Sequence, residues 1–422
     1  MDLEVQDVIE GLLTKTATEK PSDYVKPEDM EMRIPEWYDE KKFNRGRKFY
    51  WEHCFMFSTS MLLGLVAVLS IPSILRILIG TRRSNSRYTA YQRYLSTLLN
   101  TVSWFENDLK PESISWKSLM IVRSKHFRAG VAAQLKGHGT VSQRDLALTQ
   151  FGFISFSLLR PDSFGIRQLH EEDWDAYNHF WAVIGHVIGL EDRYNICRKN
   201  VEDTREVCQI LMDRVFTPCL SNVPEYFEHS ARVMLDGLWS INPIIHVEGM
   251  LYWTKYLANV PGYIYTEQER IALQRRLQQE LKGKAYDTGV DSSTLIQECA
   301  IGGLPERTSR HLYVRDYNTL ETVPEYKTLD NAGKKRVGFY MSLPTFYSTW
   351  LGRWYFNINF RFSLLLMKYL PYLSFPRYGV IASYVNIFSE HPVDDAEPKP
   401  NAEFYKTKPQ KPWSLFDLFP LY

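Results

Sequence analysis

Close cysteine pairs, a charge excess and alternating strand patterns are missing from this 422-residue chain. Its five cysteines (Cys54, Cys197, Cys208, Cys219 and Cys299) are odd in number and form no CxxC pair. That disfavours a disulfide framework or a zinc ribbon and leaves thiols expected to stay reduced, as in a cytosolic or cytosol-facing chain. Lys and Arg number 50 against 49 Asp and Glu, a net charge of +1. A nucleic-acid binder normally carries a basic excess to neutralise phosphates, so no nucleic-acid partner is expected. The chain has no GxxxxGK[ST], no GxGxxG after a strand pattern, no GxSxG, no HExxH and no Glu-x-x-His. Those absences remove the P-loop, dinucleotide, nucleophile-elbow, zincin and ferritin-like di-iron readings. The N-terminal MDLEVQDVIEG lacks the basic and apolar regions of a cleaved secretory signal.

What is present is apolar and aromatic. Hydrophobic residues make up 45 % of the chain and aromatics 14 %, ample for a packed core and incompatible with a disordered class. Residues 1–34 carry nine acids and four bases and read as a loosely ordered acidic leader. From Pro35 to Glu390 no Gly/Ser/Pro-rich linker intervenes, and helical periodicity dominates. Helices are expected over about 88–105, over WKSLMIVRSKHFRAGVAAQL with Ser115 as N-cap, and over VSQRDLALTQFGFISFSLL behind a Thr140/Gln143 capping box. DWDAYNHFWAVIGHVIGL, RIALQRRLQQELKG behind Thr266 and Glu269, and about 344–373 complete the set. RHLYVRDYN is the only short strand candidate, and 391–422 reads as a Pro-rich tail. The expectation is one large all-α domain with two loose ends.

Cys54–Leu75 contains no charge and is long enough to cross a bilayer. Its hydroxyls, Pro72 and the five bases on each side equally allow a helix buried at the centre of a bundle. A second apolar stretch, 362–373, is interrupted by Lys368 and Pro371 and suits an interfacial or core helix. Membrane contact is expected through one of these two stretches.

Polar residues on the helices over 88–135 carry the chemical signal. Arg93, Ser96 and Thr97 stand at i, i+3 and i+4, so they share one face of an otherwise apolar helix. Burying a guanidinium and two hydroxyls without partners is costly. On the next helix Arg123 and His126 are at i and i+3, and Gly130 follows at i+4 from the histidine. A mid-helix glycine costs about 1 kcal/mol relative to alanine, which a bulky neighbour would explain. An imidazole beside a clearing could be an axial ligand under a flat porphyrin, although a lone histidine on a helix is more often structural. His179 and His186, seven apart on one helix face, and His246 in its apolar setting read as structural.

The stretch from Trp116 to Ile166, followed by WDAYNHFWAVIGHVIGLED, resembles the catalytic-domain family of rubber oxygenases. That family joins latex-clearing proteins with the ER-bound oxygenase of the mycophenolic acid pathway. The shared features are Arg-x-x-His (Arg123, His126), Ser-Gln-x-Asp-Leu-Ala, Trp-x-x-x-Gly-x-x-x-Gly (Trp181, Gly185, Gly189), Pro35-Glu36-Trp37, Arg45-Gly46 and Arg-x-x-x-Thr (Arg93, Thr97). The resemblance covers about residues 35–195 and implies a domain over 35–390 with a globin-like core holding haem b. It implies a haem-dependent oxygenase that uses dioxygen to cleave or oxidise C=C bonds of an apolar isoprenoid or lipid, on or near the endoplasmic reticulum membrane. His126 would bind the iron, Arg123 would meet a propionate or orient the helix, and Arg93 and Thr97 would stand on the distal side. Ser96 replaces the lysine that precedes the distal threonine in latex-clearing proteins, and residues 53–105 contain no Asp or Glu. A non-catalytic lipid-binding or haem-binding protein on the same fold is the alternative.

Overall fold

The computed structural model describes residues 3–167, 170–260 and 324–404. Among them there is no strand, only an isolated bridge between Pro21 and Ser142. The helices are α1 (Val5–Leu12), α2 (Lys15–Glu19), α3 (Glu40–Glu52), α4 (Cys54–Val68), α5 (Pro72–Gly80), α6 (Arg87–Glu106), α7 (Ile114–Leu135), α8 (Gln143–Leu159) and α9 (Glu171–Val187). They continue with α10 (Val201–Leu211), α11 (Thr217–Ser221), α12 (Phe227–Trp239), α13 (Val247–Leu257), α14 (Pro324–Lys327), α15 (Asn331–Tyr347) and α16 (Trp350–Tyr369). The expected helix RIALQRRLQQELKG and the strand candidate RHLYVRDYN lie outside the described residues.

Polar caps set the helix starts. Ser86 and Thr89 form a reciprocal capping box at α6, Ser142 and Asp145 another at α8, and Ser113 caps α7 through the Trp116 amide. The expected caps Thr140 and Ser115 are thus each displaced by two residues. The late helix is two helices, because Thr349 caps α16 anew.

The uncharged run Cys54–Leu75 is also two helices. Ile71, placed before Pro72, is extended as that position requires, and Ser70 turns its hydroxyl back onto the Ala67 carbonyl at 2.7 Å. Among the described residues no single helix is long and apolar enough to cross a membrane; α3 and α4 pass that test only as a pair bent by 94°. Most of α4 is buried inside the body, which accounts for a helix apolar on all sides.

Glycines let the central helices cross closely. Gly64 of α4 lies against Gly152 of α8, where a methyl group on Gly64 would overlap the Gly152 carbonyl. Gly46 of α3 meets the Ala176 carbonyl of α9 in the same way, and Gly237 of α12 abuts the start of α6. Stacked rings fill the layer between α3, α6 and α9, with Tyr50–Phe105 at 3.7 Å and Phe105–Phe180 at 4.1 Å between centroids.

Neither end is loose over the described residues. Against the expectation for 1–34, Val8, Ile9 and Leu12 share one face of α1 and are wholly buried, while its acids point outward. The Ser22 amide donates to the Val141 carbonyl at 2.7 Å. At the other end, Asp394 accepts from Thr89 at 2.7 Å, and the buried Asn401 side chain donates to the Pro224 carbonyl at 2.8 Å.

Replacing Gly64 with Ala should lower stability by about 2 kcal/mol or more, because the added methyl meets the Gly152 backbone, which cannot turn aside as a side chain would. Gly338→Ala, in α15 with nothing within 4 Å of its added methyl, should be neutral or gain up to about 1 kcal/mol. Denaturation midpoints in urea measure both, and equal midpoints would refute the close crossing.

Candidate functional site

The helix α7 is covered incompletely on every side. Its eight consecutive residues from Met120 to Phe127 are all half-buried, none enclosed and none free. An ordinary two-faced helix would alternate between the two extremes within one turn. In this setting the His126 Nδ1 is shielded from solvent and has no hydrogen-bond partner. Burial, and then the Arg93 guanidinium, push its pKa down to about 4. The imidazole is therefore neutral at pH 7 and keeps an unengaged ring nitrogen, the state a metal ligand requires.

Arg93 belongs to a cluster of cations drawn from distant parts of the chain. Arg93 donates to the Thr81 hydroxyl at 3.1 Å, and its own pKa is lowered, chiefly by desolvation. Arg83 and Arg128 share the single carboxylate Glu390 at 2.8 and 3.1 Å, and Lys125 donates to the Ser389 carbonyl at 3.0 Å. Burial lowers the Lys125 pKa, Glu390 opposes that shift, and Arg83, Arg93 and Arg128 add to it. His391 is pushed down to about 3 by burial and by the charges of Lys125, Arg93 and Arg83. Among the described residues, four cations around one carboxylate leave the cluster short of negative charge.

On the other side of α6 lies an apolar cavity of about 100 Å³. Phe55, Leu62 and Leu65 of α4, Phe153 of α8, Met250 and Trp253 of α13 and Met367 of α16 are among its walls. Tyr94, Thr97 and Thr101 supply hydroxyls, and among the described residues no Asp, Glu, Lys, Arg or His lines it. An engineered cavity of about 150 Å³ with a similar lining stays dry and takes an apolar molecule such as benzene.

The structure therefore separates residues that share a face on a helical wheel. Thr97 lines the cavity, with its hydroxyl on the Arg93 carbonyl at 3.1 Å. Arg93 and His126 do not line it and belong to the cationic cluster. Ser96 is buried and receives the Asn100 amide at 3.2 Å, in a chain that continues through Ser118 of α7 (2.6 Å) to Trp104. Arg123 is ion-paired with Asp23 of the N-terminal segment, so it anchors α7. A Cβ on Gly130 would meet Thr140 Oγ1 at 3.0 Å and the Val141 amide at 3.2 Å, so the chain's own loop occupies that clearing.

Three other histidines have structural partners. His186 bonds Asp192 at 2.7 Å, His179 accepts the Asp39 amide at 3.0 Å, and Trp37 packs edgewise on both rings. His246 caps α13 by accepting the Gly249 amide. Among the described residues no group of three or more His, Cys, Asp or Glu is placed to hold a metal ion. A haem needs one axial donor and partners for its carboxylates. The unpartnered nitrogen of His126 and the cation excess around Arg93 fit those two requirements; Arg123 and Gly130 are otherwise engaged.

Comparison with known proteins adds little. No family model matches the chain, and no curated protein matches it. Among solved structures, latex clearing protein LCP in its closed state matches at 17 % identity with a TM-score of 0.42, covering 78 % of this chain and 84 % of that one. Likeness at that level establishes no shared activity.

Acid should unfold the protein through its buried neutral histidines. His53, 2 % exposed with its Nδ1 unpartnered, is pushed to about 4 by burial, as is His126. The unfolded chain takes up these protons near pH 6.5 and the folded one near 4, so stability is fullest above 6.5 and falls toward 4. His53→Gln should remove a share of that fall on the order of 3 kcal/mol. Urea midpoints for both proteins at stepped pH check this; parallel profiles would mean that His53 is protonated in the fold.

Proposed function

We propose that this protein is a haem-dependent oxygenase, with His126 as axial ligand and an apolar unsaturated isoprenoid or lipid as substrate. The observation that carries the reading is the buried, neutral and unpartnered Nδ1 of His126 beside the Arg93 guanidinium. The motifs that contain these two residues resemble the rubber-oxygenase family, and the charge-free cavity behind α6 suits an uncharged substrate.

When bound, haem b would supply the redox chemistry that dioxygen requires. The protein's own residues do the rest. Burial keeps His126 deprotonated, so its lone pair is not lost to a proton at neutral pH. Arg83 and Arg128, which share Glu390, and Lys125 beside them would attract carboxylates of a bound group. Arg93 gives one of its donors to the Thr81 hydroxyl and is positioned to stabilise negative charge developing nearby. Leu62, Leu65, Phe153 and Trp253 keep water from an alkene in the cavity, beside the Thr97 and Thr101 hydroxyls. Ser96 is committed to Asn100 and serves to seat α6 on α7 rather than to transfer protons.

The second reading is a lipid-binding or haem-binding protein without turnover. It is favoured by one feature, that the apolar cavity stops short of both Arg93 and His126.

Purified protein supplied with haem should show a Soret band, and His126→Ala should lose it while circular dichroism is unchanged. Arg93→Ala should retain haem and reduce oxygen consumption with an unsaturated isoprenoid by roughly a hundredfold, the usual cost of removing one preorganised donor. A wild type without a Soret band defeats the haem reading. Haem binding with no oxygen uptake on any alkene favours the second reading, and loss of haem in Arg93→Ala makes the arginine a partner of the haem carboxylates.

A further inference from the structure

The helix α16 buries one face and leaves the other bare. Phe360, Ser363 and Met367 line the apolar cavity. On the opposite side Trp350, Trp354, Ile358, Phe362, Leu365 and Tyr369 are all exposed, Trp350 at 73 % and Tyr369 at 72 %. At roughly 100° per residue these six fall within an arc of about 120°, so they form a single stripe. Shortly beyond, Val380 and Ile381 also protrude, Ile381 at 91 %. Contiguous bare apolar surface of this kind marks an interaction site.

Charge identifies the partner. From Asn331 to Ser389 there are 59 residues with seven bases and no Asp or Glu. Arg361 lies within the arc and packs over the Trp51 ring, while Lys368 stands at its edge, ion-paired with Glu106. Trp350, Trp354 and Tyr369 belong to the stripe itself, so all three stand at one depth when the helix lies flat. Tryptophan and tyrosine prefer the headgroup level, and the accompanying cations favour anionic lipid. A second copy of this chain fits less well, because a two-fold contact would present residues 331–389, which hold no Asp or Glu, on both sides and leave Arg361 without a carboxylate from the facing segment.

We propose that the α16 face docks the protein onto the surface of an anionic phospholipid bilayer, with α16 lying in the interfacial plane and Ile381 as a second point of insertion. The stripe meets the acyl-chain boundary, and its cations meet lipid phosphates. Docked in this way, the cavity is one helix thickness from the acyl chains, so its ligand is drawn from membrane-resident lipid. That last step rests on the cavity reading above; bilayer docking itself does not depend on haem.

The test is sedimentation of the full chain with vesicles of phosphatidylcholine alone and of phosphatidylcholine with phosphatidylserine. Wild type should pellet with the anionic vesicles, less with the neutral ones, and progressively less as salt is raised. The double variant Trp354→Glu/Phe362→Glu replaces exposed side chains, so circular dichroism should not change, while vesicle partitioning should fall by roughly tenfold or more. Retention of wild type in the supernatant with both vesicle types overturns the proposal, as does a double variant that pellets like wild type. A wild-type dimer that the double variant dissolves, with no vesicle binding, assigns the face to self-association instead. Because the readout is sedimentation, a missing Soret band and a failed docking are separate results.

Discussion

The approach of α4 to α8 at Gly64 and Gly152 is the constraint on which the body depends. With no side chain on either helix at the crossing, backbone meets backbone and α4 sinks into the centre. Its remaining residues must then be apolar in nearly all directions, because each faces a different neighbour. Toward α8 the fit is tight; away from it Leu62 and Leu65 border open space. The cavity exists because one side of α4 is closed by glycine contact and the other is spanned by side chains, from α6, α12, α13, α15 and α16 among others. Widening the crossing would push α4 into that space, so stability and cavity volume are coupled through two residues that carry no functional group.

The helix α6 divides two media. Its cavity side is free of charge, and its α7 side holds guanidinium, ammonium and neutral imidazole groups. A cation beside an imidazole in a partly desolvated place reinforces what burial already does, so His126 is held neutral by two causes acting in one direction. The contact between α6 and α7 is kept in register by Ser96, Asn100, Ser118 and Trp104. That polar chain prevents α7 from sliding, and Arg123 with Asp23 holds the same helix from the N-terminal side. The half-buried stretch of α7 is thus fixed at two points while its middle is left uncovered.

Much of this was readable from sequence where the determinant is local. Capping residues and 3.6-residue periodicity located α6 to α9 within a few positions, since each start depends on side chains only two or three residues away. The break after α4 was also local: Ser70-Ile71-Pro72 stops a helix whatever surrounds it, yet the absence of charge drew attention to length instead. The site was less accessible for a geometric reason. Arg93, Ser96 and Thr97 lie within one arc of a wheel, but a long arginine reaches the end of α5, a serine reaches α7 and a threonine stays over the cavity. Which group each side chain meets is decided by neighbours that the wheel does not contain. Gly130 is the same case, with its space taken by Thr140 and Val141 from the following loop. Glu390 and His391 join Arg83 and Lys125 across more than two hundred residues, and no spacing rule spans that distance.

The net charge of +1 conceals how charge is distributed, and the distribution has physical consequences that the total lacks. Removing residues 331–389 leaves 43 bases against 49 acids in the rest of the chain. The acidic N-terminal segment and the basic α15–α16 region therefore nearly cancel in bulk, and an argument from total charge finds no preferred partner. Screening limits each charge to about 10 Å at ordinary ionic strength, so a surface is recognised by the charges it presents locally. The segment itself carries no carboxylate to repel phosphate, although Glu106 and Asp236 from other helices pair with Lys368 and Arg377 and offset part of its charge. Such a surface combines weak long-range attraction with strong short-range apolar contact. The first orients the molecule and the second supplies most of the binding free energy, because burying one large side chain outweighs a single exposed ion pair.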